Sequence, residues 1–249
     1  MLMDAVGLKQ PEVVACVGAG GKTSLVQSLA AAGLGGPIVI TTTTKMFYRQ
    51  VTDYPLVVND NYGAGVAQVM HILAEQHQVA WFNRQAGEKV IGIPPEWVDQ
   101  LAAVLPAVYI LVEADGARGC LIKAPSEQEP VIPASTTRTV GIVNLSAQGQ
   151  PLSVENTHRL DLVTCRINKQ LGEVITWQDI ARLAVHQQGI FQYARGSKVL
   201  LLSGCDDKAA RLAAKQIAGY VTLANVGIDR VVVATGYGAA MQANEVYVL

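Results

Sequence analysis

The sequence predicts an α/β fold in which helices cover both faces of a mostly parallel sheet. Short runs rich in Val and Ile alternate with helical patterns, as in proteins whose parallel strands are joined by crossover helices. Two of these runs, at 13–17 and 199–202, are apolar at every position, so helices must cover both of their faces. A glycine-rich segment between the first strand and the first long helix is the third indication of this fold.

The strands are predicted from their short apolar runs and the helices from their periodicity. Strands are expected near residues 12–17, 37–42, 55–58, 78–82, 107–113, 139–144, 198–203, 229–234 and 245–248. Helices are expected at residues 22–32, 64–77, 95–104, 177–187 and 206–218, and Thr176 with Asp179 has capping-box spacing before the fourth. Strand patterns fade between 153 and 196 while helical ones persist. We therefore predict one domain over 1–249 with a helical insert in 153–196.

Composition excludes several classes of protein. The 249 residues are 50% hydrophobic and 16% charged, a balance typical of a folded chain. The longest apolar stretch, 101–112, contains Pro106 and stops at Glu113, short of the roughly 18 residues that a membrane span needs. A net charge of −1 offers no field for a nucleic-acid backbone. With no secretory pattern at the N-terminus, we expect a cytoplasmic protein that binds no nucleic acid and has no membrane span.

The strongest motif lies directly after an apolar strand and directly before an amphipathic helix. It comprises Gly18, Ala19, Gly20, Gly21, Lys22, Thr23 and Ser24. Glycines let successive N–H groups point at phosphate oxygens, and we expect Lys22 to reach the terminal phosphates of ATP or GTP while Thr23 coordinates Mg²⁺. Cys16 replaces the first glycine of the pattern GxxxxGK[ST], so the loop is a shortened form with the spacing found in Mur-type ligases. The alternative is a plain glycine-rich turn with a solvated lysine.

A polar run follows the second predicted strand. It contains Thr42, Thr43, Thr44 and Lys45. Because the carboxyl ends of parallel strands meet at one rim, we expect this run to face the glycine-rich loop. Threonine is also an ordinary strand residue, and a solvated Lys45 is the alternative to a ligand contact.

Acidic residues end the strand predicted at 107–113. Glu113 and Asp115 lie two residues apart and thus on one side of an extended backbone, as in a Walker B segment that holds magnesium or orients an attacking water. We assign the metal side to Asp115 and the water side to Glu113. Arg118 is expected to stabilise charge on a transferring phosphoryl group. The alternative is a polar turn without chemistry.

The segment after the strand at 198–203 resembles a guanine-binding motif only in part. Asp206 stands where the Asp of Asn-Lys-x-Asp would lie, but Ser203 and Gly204 replace Asn and Lys, so the base stays unassigned. Helix capping is the favoured alternative for Asp206 and Asp207. Cys205 lies near the same helix N-terminus, a position at which a thiol pKa tends to fall.

Other candidate groups carry weaker signals. His158 and Arg159 are suited to a proton shuttle or an anion contact, but a surface position is the favoured interpretation. The proline-rich segment 123–133 is expected to be a stiff loop on the ligand rim. The cysteines and histidines show no paired spacing, so no metal site formed by them is predicted.

Several segments together resemble the YqeC-type family, accessory proteins of selenium-dependent molybdenum hydroxylases. They are VGAGGKTS, ITTTTKM, LVEADGARG with LIKAPSEQEPVIP, GIVNLSAQGQPL and NTHRLD, within residues 10–165. The resemblance implies a P-loop nucleotide-binding fold and a selenium compound or a molybdenum hydroxylase as partner. It places nucleotide contacts at Gly18, Gly20 to Thr23 and Thr42 to Lys45, with Glu113 and Asp115 beside them. It does not define a reaction.

Three functions are compatible with these observations. The first is an accessory NTPase or kinase-like phosphotransferase that uses Mg²⁺ with ATP or GTP while a selenium or molybdenum cofactor matures. The second is a nucleotide-gated carrier or scaffold for a partner hydroxylase, without significant turnover. The third, a Mur-like ligase acting through an acyl phosphate, is the least favoured, because one short chain leaves little room for extra substrate domains.

Overall fold

The computed structural model describes all residues from 1 to 249. Its strands are β1 (Val13–Gly18), β2 (Ile38–Thr42), β3 (Lys45–Phe47), β4 (Leu56–Val58), β5 (Gln78–Phe82), β6 (Arg84–Ala86), β7 (Lys89–Ile91), β8 (Tyr109–Glu113), β9 (Ile122–Lys123), β10 (Arg138–Asn144), β11 (Thr157–His158), β12 (Ser197–Ser203), β13 (Arg230–Thr235) and β14 (Gln242–Val248). Its helices are α1 (Leu2–Val6), α2 (Lys22–Ala31), α3 (Tyr62–Glu75), α4 (Pro95–Val104), α5 (Leu160–Ile167), α6 (Trp177–Val185) and α7 (Lys208–Ala224).

One nine-stranded sheet organises the molecule. Its strand order is β14-β13-β12-β10-β1-β8-β2-β5-β4, and every neighbouring pair is parallel except β13 and β14. The strands predicted from the sequence are the nine strands of this sheet, so the α/β fold with a mostly parallel sheet is confirmed. Because β1 lies between β10 and β8, the loop that follows β1 sits near the middle of the rim formed by the strand ends.

Helices bury both faces of the sheet. Along β1, Ala15 and Val17 belong to one buried cluster, which also holds residues of α5, α6 and α7. Val14 and Cys16 face the opposite side, into a cluster with residues of α1 and α2. A third cluster joins α3 and α4 to the β4 end of the sheet. Alternate side chains of β1 thus enter different cores, which is why its sequence is apolar at every position.

The five expected helices are present, with ends shifted by a few residues. The Asp179 carboxylate accepts the backbone N–H of Thr176 at 2.8 Å at the start of α6, as the capping-box spacing predicts. The sequence patterns missed the short helices α1 and α5, the three-stranded sheet β3-β7-β6 and the two-stranded sheet β9-β11. These elements are too short to carry a recognisable period. No helix is both long and apolar enough to cross a membrane.

Residues 153–196 contain β11, α5 and α6. Val163 and Ile167 of α5 and Ile180 of α6 are buried in the same cluster as Val143 of β10 and Leu202 of β12. A shared core of this kind is typical of an insert that is part of its parent domain. We therefore propose that the segment is an insert within one domain that spans the chain.

Candidate functional site

The loop after β1 packs tightly against the end of β10. Gly18 has φ 93° and Gly20 has φ 73°, both in the left-handed region that favours glycine. A Cβ atom on Gly18 would lie 2.2 Å from the carbonyl oxygen of Ile142, and one on Gly20 would lie 2.4 Å from the Cβ of Asn144. The loop therefore requires glycine at both positions for conformation and for space.

Two side chains from neighbouring strands fix the loop from outside. The Ser203 hydroxyl donates to the carbonyl of Gly20 at 2.6 Å, and the Asn144 amide donates to the same oxygen at 3.1 Å. Ser203 stands where a guanine-binding motif would have Asn. Its hydroxyl serves the loop backbone, which explains this departure without invoking a base.

Lys22, the first residue of α2, is buried although it is charged. Its side chain is 6% exposed, and its Nζ donates to the carbonyl of Gly18 at 2.6 Å and lies 3.0 Å from Oδ1 of Asp115. Burial lowers the pKa of Lys22, but the carboxylates of Asp115 and Glu113 outweigh it and raise the pKa above its ordinary value. The ammonium group thus stays charged at the mouth of the loop.

Asp115 begins a chain of alternating charges that continues away from the loop. Its Oδ2 accepts the backbone N–H of Gly18 at 2.9 Å and lies 2.9 Å from Nζ of Lys123. Lys123 is 2.8 Å from Glu129, and Arg159 is 2.7 Å from the same carboxylate oxygen. Burial alone would raise the pKa of Glu129, but hydrogen bonds from Arg159 and Lys123 lower that pKa to about 2. Both acids therefore have cationic partners.

Glu113 contacts the threonine of the loop. The Thr23 hydroxyl donates to Oε1 of Glu113 at 2.7 Å, and the Gln50 amide donates to the Thr23 oxygen at 3.2 Å. Burial raises the pKa of Glu113 above its ordinary value, against the opposing effects of Lys22 and the Thr23 hydroxyl. The sequence paired Thr23 with Asp115 for the metal, whereas the structure brings Thr23 and Glu113 together.

The threonines at the end of β2 and directly after it have different roles: one is buried in the sheet and the others line a pocket. The Thr42 hydroxyl donates to the carbonyl of Glu113 at 2.6 Å, and the Thr43 hydroxyl donates to the carbonyl of Val131 at 2.7 Å. Thr43, Thr44 and Lys45 line the pocket described below, whereas Thr42 is fully buried beneath it. Thr42 thus fixes the end of β8 against the end of β2.

One large pocket of about 1360 Å³ runs along the rim of the sheet. The residues predicted for the site that line it are Gly20, Gly21, Lys22, Thr23, Ser24, Thr43, Thr44, Lys45, Glu113, Asp115, Arg118 and Asp206. Gly18, Ala19 and Thr42 lie behind its surface and act through the backbone or through neighbouring residues. The rim therefore collects side chains that are far apart in the sequence.

The segment after β12 caps a helix and buries its cysteine. Asp207 caps α7 by accepting the N–H of Ala210 at 2.7 Å, so the capping alternative applies to this residue. Asp206 reaches only the N–H of Gly236, at 3.3 Å. Burial raises the pKa of Cys205 to about 12, which corrects the expectation of a lowered thiol pKa at this helix start.

Sequence reasoning missed several members of the site, including His158, Arg159 and Lys123. His158 and Arg159 were expected at the surface, but both line the pocket and are only partly exposed. Lys123 had no assigned role, yet it is buried between Asp115 and Glu129. The available signal was a lysine within the apolar run from Cys120 to Ala124, a position where a charged side chain needs a partner.

Comparison with known proteins identifies the family. The YqeC protein family matches residues 14–161. The chain belongs to the YqeC family. A member from Escherichia coli strain K12, named uncharacterized protein YqeC, is 33% identical over 196 residues, which cover 77% of this chain and 75% of that protein. The matched region of the family includes the glycine-rich loop, Glu113, Asp115, Lys123 and His158.

One solved structure aligns with most of this chain. Chloroplast FtsY from Physcomitrella patens aligns with 96% of this chain and 64% of that chain, at 12% identity and a TM-score of 0.47. The chain thus spans slightly under two thirds of the length of FtsY. Two observations support a nucleotide-related function for this chain. It belongs to the YqeC family, and its glycine-rich loop joins a buried strand, β1, to a helix, α2.

Proposed function

We propose that this protein binds a nucleoside triphosphate with Mg²⁺ and transfers or hydrolyses its terminal phosphoryl group. The observation that carries the proposal is the joining of the loop to the acids of β8. Lys22 contacts Asp115 at 3.0 Å, and Thr23 contacts Glu113 at 2.7 Å. A glycine-rich loop, a lysine and a strand-end acid in this arrangement are the parts that phosphoryl-transfer sites of P-loop proteins share.

The residues present are suited to a magnesium ion. Mg²⁺ prefers oxygen ligands and usually takes only one or two carboxylates from the protein, with phosphates and waters supplying the rest. Thr23 and Glu113 offer a hydroxyl and a carboxylate at the buried edge of the pocket. We therefore assign these two residues to the metal, which when bound would neutralise phosphate charge.

Asp115 then has a different role from the one that the sequence indicated. Lys22, Lys123 and the N–H of Gly18 occupy its oxygens, so its charge is already compensated. We propose that Asp115 orients Lys22 and holds the loop closed. A triphosphate that enters the site competes with Asp115 for the Lys22 ammonium.

This competition also favours a second function, the nucleotide-gated carrier or scaffold. If the triphosphate draws Lys22 away from Asp115, Asp115 loses one cationic partner. This loss then affects Lys123 and Glu129, because consecutive ion pairs connect them to Asp115. Binding alone could thus alter the wall of the pocket without turnover. In either function, we propose that the protein acts in the maturation of a selenium or molybdenum hydroxylase cofactor, as the resemblance implies.

A thermal-shift screen with ATP, GTP and CTP, each with and without magnesium, tests nucleotide binding. A ligand that binds only the native state at a hundredfold excess over its Kd stabilises it by about 2.7 kcal/mol, which raises the Tm of a chain of this size by roughly 5–10 °C. We expect such a shift with at least one triphosphate and none in Lys22→Ala. The absence of a shift with every millimolar triphosphate would contradict the proposal. Phosphate release by the binding nucleotide then separates the enzyme from the carrier.

A further inference from the structure

The pocket is larger than a nucleotide requires. Sites for one small molecule typically measure about 300–1,000 Å³, and this pocket measures about 1360 Å³. Along the rim it extends from the ends of β12 and β13, past the glycine-rich loop and the segment after β8, to β3 and β7. A triphosphate on the loop would therefore leave part of the pocket open.

Charge decides which part stays open. The wall at the ends of β12 and β13 has Asp206 as its only charged side chain, whereas the wall beside β3, β7, β8 and β11 carries the cations Lys45, Arg49, Lys89, Arg118 and Arg159. The terminal phosphate carries the most negative charge of a nucleotide, so it faces the cationic end and the nucleoside faces the other. The space beyond the terminal phosphate is then bounded by these cations, and the side of it formed after β8 and at β11 consists of Arg118, His158 and Arg159.

These three side chains have hydrogen-bonding capacity that the protein does not use. Arg118 forms no ion pair within 4 Å, and Arg159 forms one through a single nitrogen, to Glu129. His158 pairs with Lys123 in the β9-β11 sheet, but its imidazole makes no hydrogen bond. Burial and the nearby cations lower the pKa of His158 to about 4, so the ring is neutral and can donate one hydrogen bond.

Lys123, in contrast, is not available to a ligand. Its Nζ contacts Asp115, Glu129 and the carbonyl of Gly116 and is almost fully buried. It stabilises the pocket wall indirectly, because it holds Glu129 in place and Glu129 in turn holds Arg159.

The backbone of Arg118 is unusual. It has φ 51°, a left-handed conformation that is strained for a residue other than glycine and is common at ligand sites.

We propose that Arg118, His158 and Arg159 form a subsite for the carboxylate or phosphate group of a second, anionic substrate. This inference rests on the proposed function, because it takes the glycine-rich loop to hold the triphosphate. Two arginines and a neutral imidazole supply several hydrogen-bond donors, which suits an oxyanion because it accepts several hydrogen bonds at once. The subsite binds the second substrate through this anionic group and thereby holds it beside the terminal phosphate.

The test uses the full chain saturated with Mg²⁺ and a mixture of the imido analogues of ATP and GTP, so that the loop is filled. Inorganic phosphate and acetate are then titrated separately by calorimetry, which distinguishes a subsite for a phosphate group from a subsite for a carboxylate group. We expect one of them to bind the parent, and Arg118→Gln to weaken that binding about tenfold, the effect of one charge-assisted hydrogen bond. Arg118→Lys should restore part of it, and His158→Gln should also weaken it.

Lys89→Gln is the matched control, because it removes one positive charge from another part of the same pocket wall. It should change anion affinity less than twofold. Binding of the analogues without binding of either anion, or equal anion affinity in all variants, would overturn the subsite alone. If the analogues do not bind, the proposed function fails, and the anions are titrated into Lys22→Ala, where the same dependence on Arg118 and His158 decides the subsite.

Discussion

Two regions of the pocket are built differently. At the β1 and β8 ends, Lys22, Asp115, Lys123 and Glu129 form a continuous series of ion pairs, and three of these side chains are buried. At the β12 and β13 ends, Asp206 is exposed and makes one long hydrogen bond to Gly236. The ends of β1 and β8 thus hold charged groups in fixed positions, whereas the ends of β12 and β13 offer little that distinguishes one base from another. Affinity should therefore depend on phosphates far more than on the base.

The largest expected effect follows the removal of the buried lysine. Lys22→Ala deletes the ammonium that the loop presents to phosphates, so we expect the Kd for magnesium triphosphate to rise about a hundredfold or more. The fold should persist, because Asp115 retains Lys123 and the N–H of Gly18 as partners. Fluorescent-nucleotide titration measures the effect, and circular dichroism verifies the fold. Lys89→Ala is the control, and equal affinity in both variants would refute the assignment of the loop.

The two acids of β8 should differ in kind when each is replaced by its amide. Asp115→Asn leaves Lys22 and Lys123 short of a buried anion, and we expect a loss of about 3 kcal/mol in the free energy of unfolding, the scale of a broken buried pair. Glu113→Gln can still accept the Thr23 hydroxyl and should cost less than about 1 kcal/mol. Its turnover should instead fall about a hundredfold, with a weakened dependence on magnesium.

Urea unfolding and magnesium titration of phosphate release separate these outcomes. A parent-like stability of Asp115→Asn would show that the chain of charges does not hold the loop. A parent-like magnesium dependence of Glu113→Gln would remove Glu113 from the metal site. If both amides behave as the parent does, the acids are a polar turn and the carrier function becomes the better account.

A smaller effect concerns pH. The unfolded chain protonates His158 near pH 6.5, but in the fold burial and the cations Lys123, Arg159 and Arg118 lower its pKa to about 4, despite Glu129 nearby. The unfolded state thus binds more protons between these values, so stability falls as pH decreases from about 6.5 to about 4. We expect the Tm of His158→Gln to fall less than that of the parent over this interval.

His71→Gln is the matched control for this measurement, because His71 lies exposed on α3. Its Tm should follow that of the parent across the same pH range. A parent and a His158→Gln variant with parallel Tm curves would contradict the buried, cation-facing environment of His158.

The sequence predicted the fold more fully than the site. All strands of the large sheet were found, because eight of them contain a short apolar run and β14 ends in Val246, Tyr247 and Val248. Lys22 and Thr23 were found because the loop lies in local sequence between a strand and a helix. The choice between Glu113 and Asp115 depends on which side chain reaches Thr23, a distance of 2.7 Å set by the register of β8 against β1 and β2. No pattern within the chain reports that register.

Lys123 and His158 were missed for a related reason. They meet the site through the two-residue strands β9 and β11, which lie far apart in the sequence and are too short for periodicity. A charged residue in an apolar run indicates burial with a partner, but it does not say which partner. Only the folded chain brings Lys123 to Asp115 and Glu129.

The smallest expected effect is at the base. Asp206→Asn should change the affinity for ATP and for GTP by less than about tenfold, since Asp206 is exposed and offers at most one or two hydrogen bonds to a base. Competition of each nucleotide against a fluorescent analogue measures this change. A selective loss of GTP binding in Asp206→Asn would show that Asp206 recognises guanine after all.

Calorimetric titration of two nucleotide series, one of each purine base, tests the central claim most directly. The parent protein is titrated with the triphosphate, the diphosphate, the monophosphate and the nucleoside of adenine and of guanine, with magnesium present. From the difference between these two regions of the pocket, we expect affinity to fall by at least about tenfold from triphosphate to monophosphate. At each phosphate length, the affinities for the adenine and the guanine compound should differ by less than that. Affinity that follows the base and ignores the number of phosphates would contradict the account.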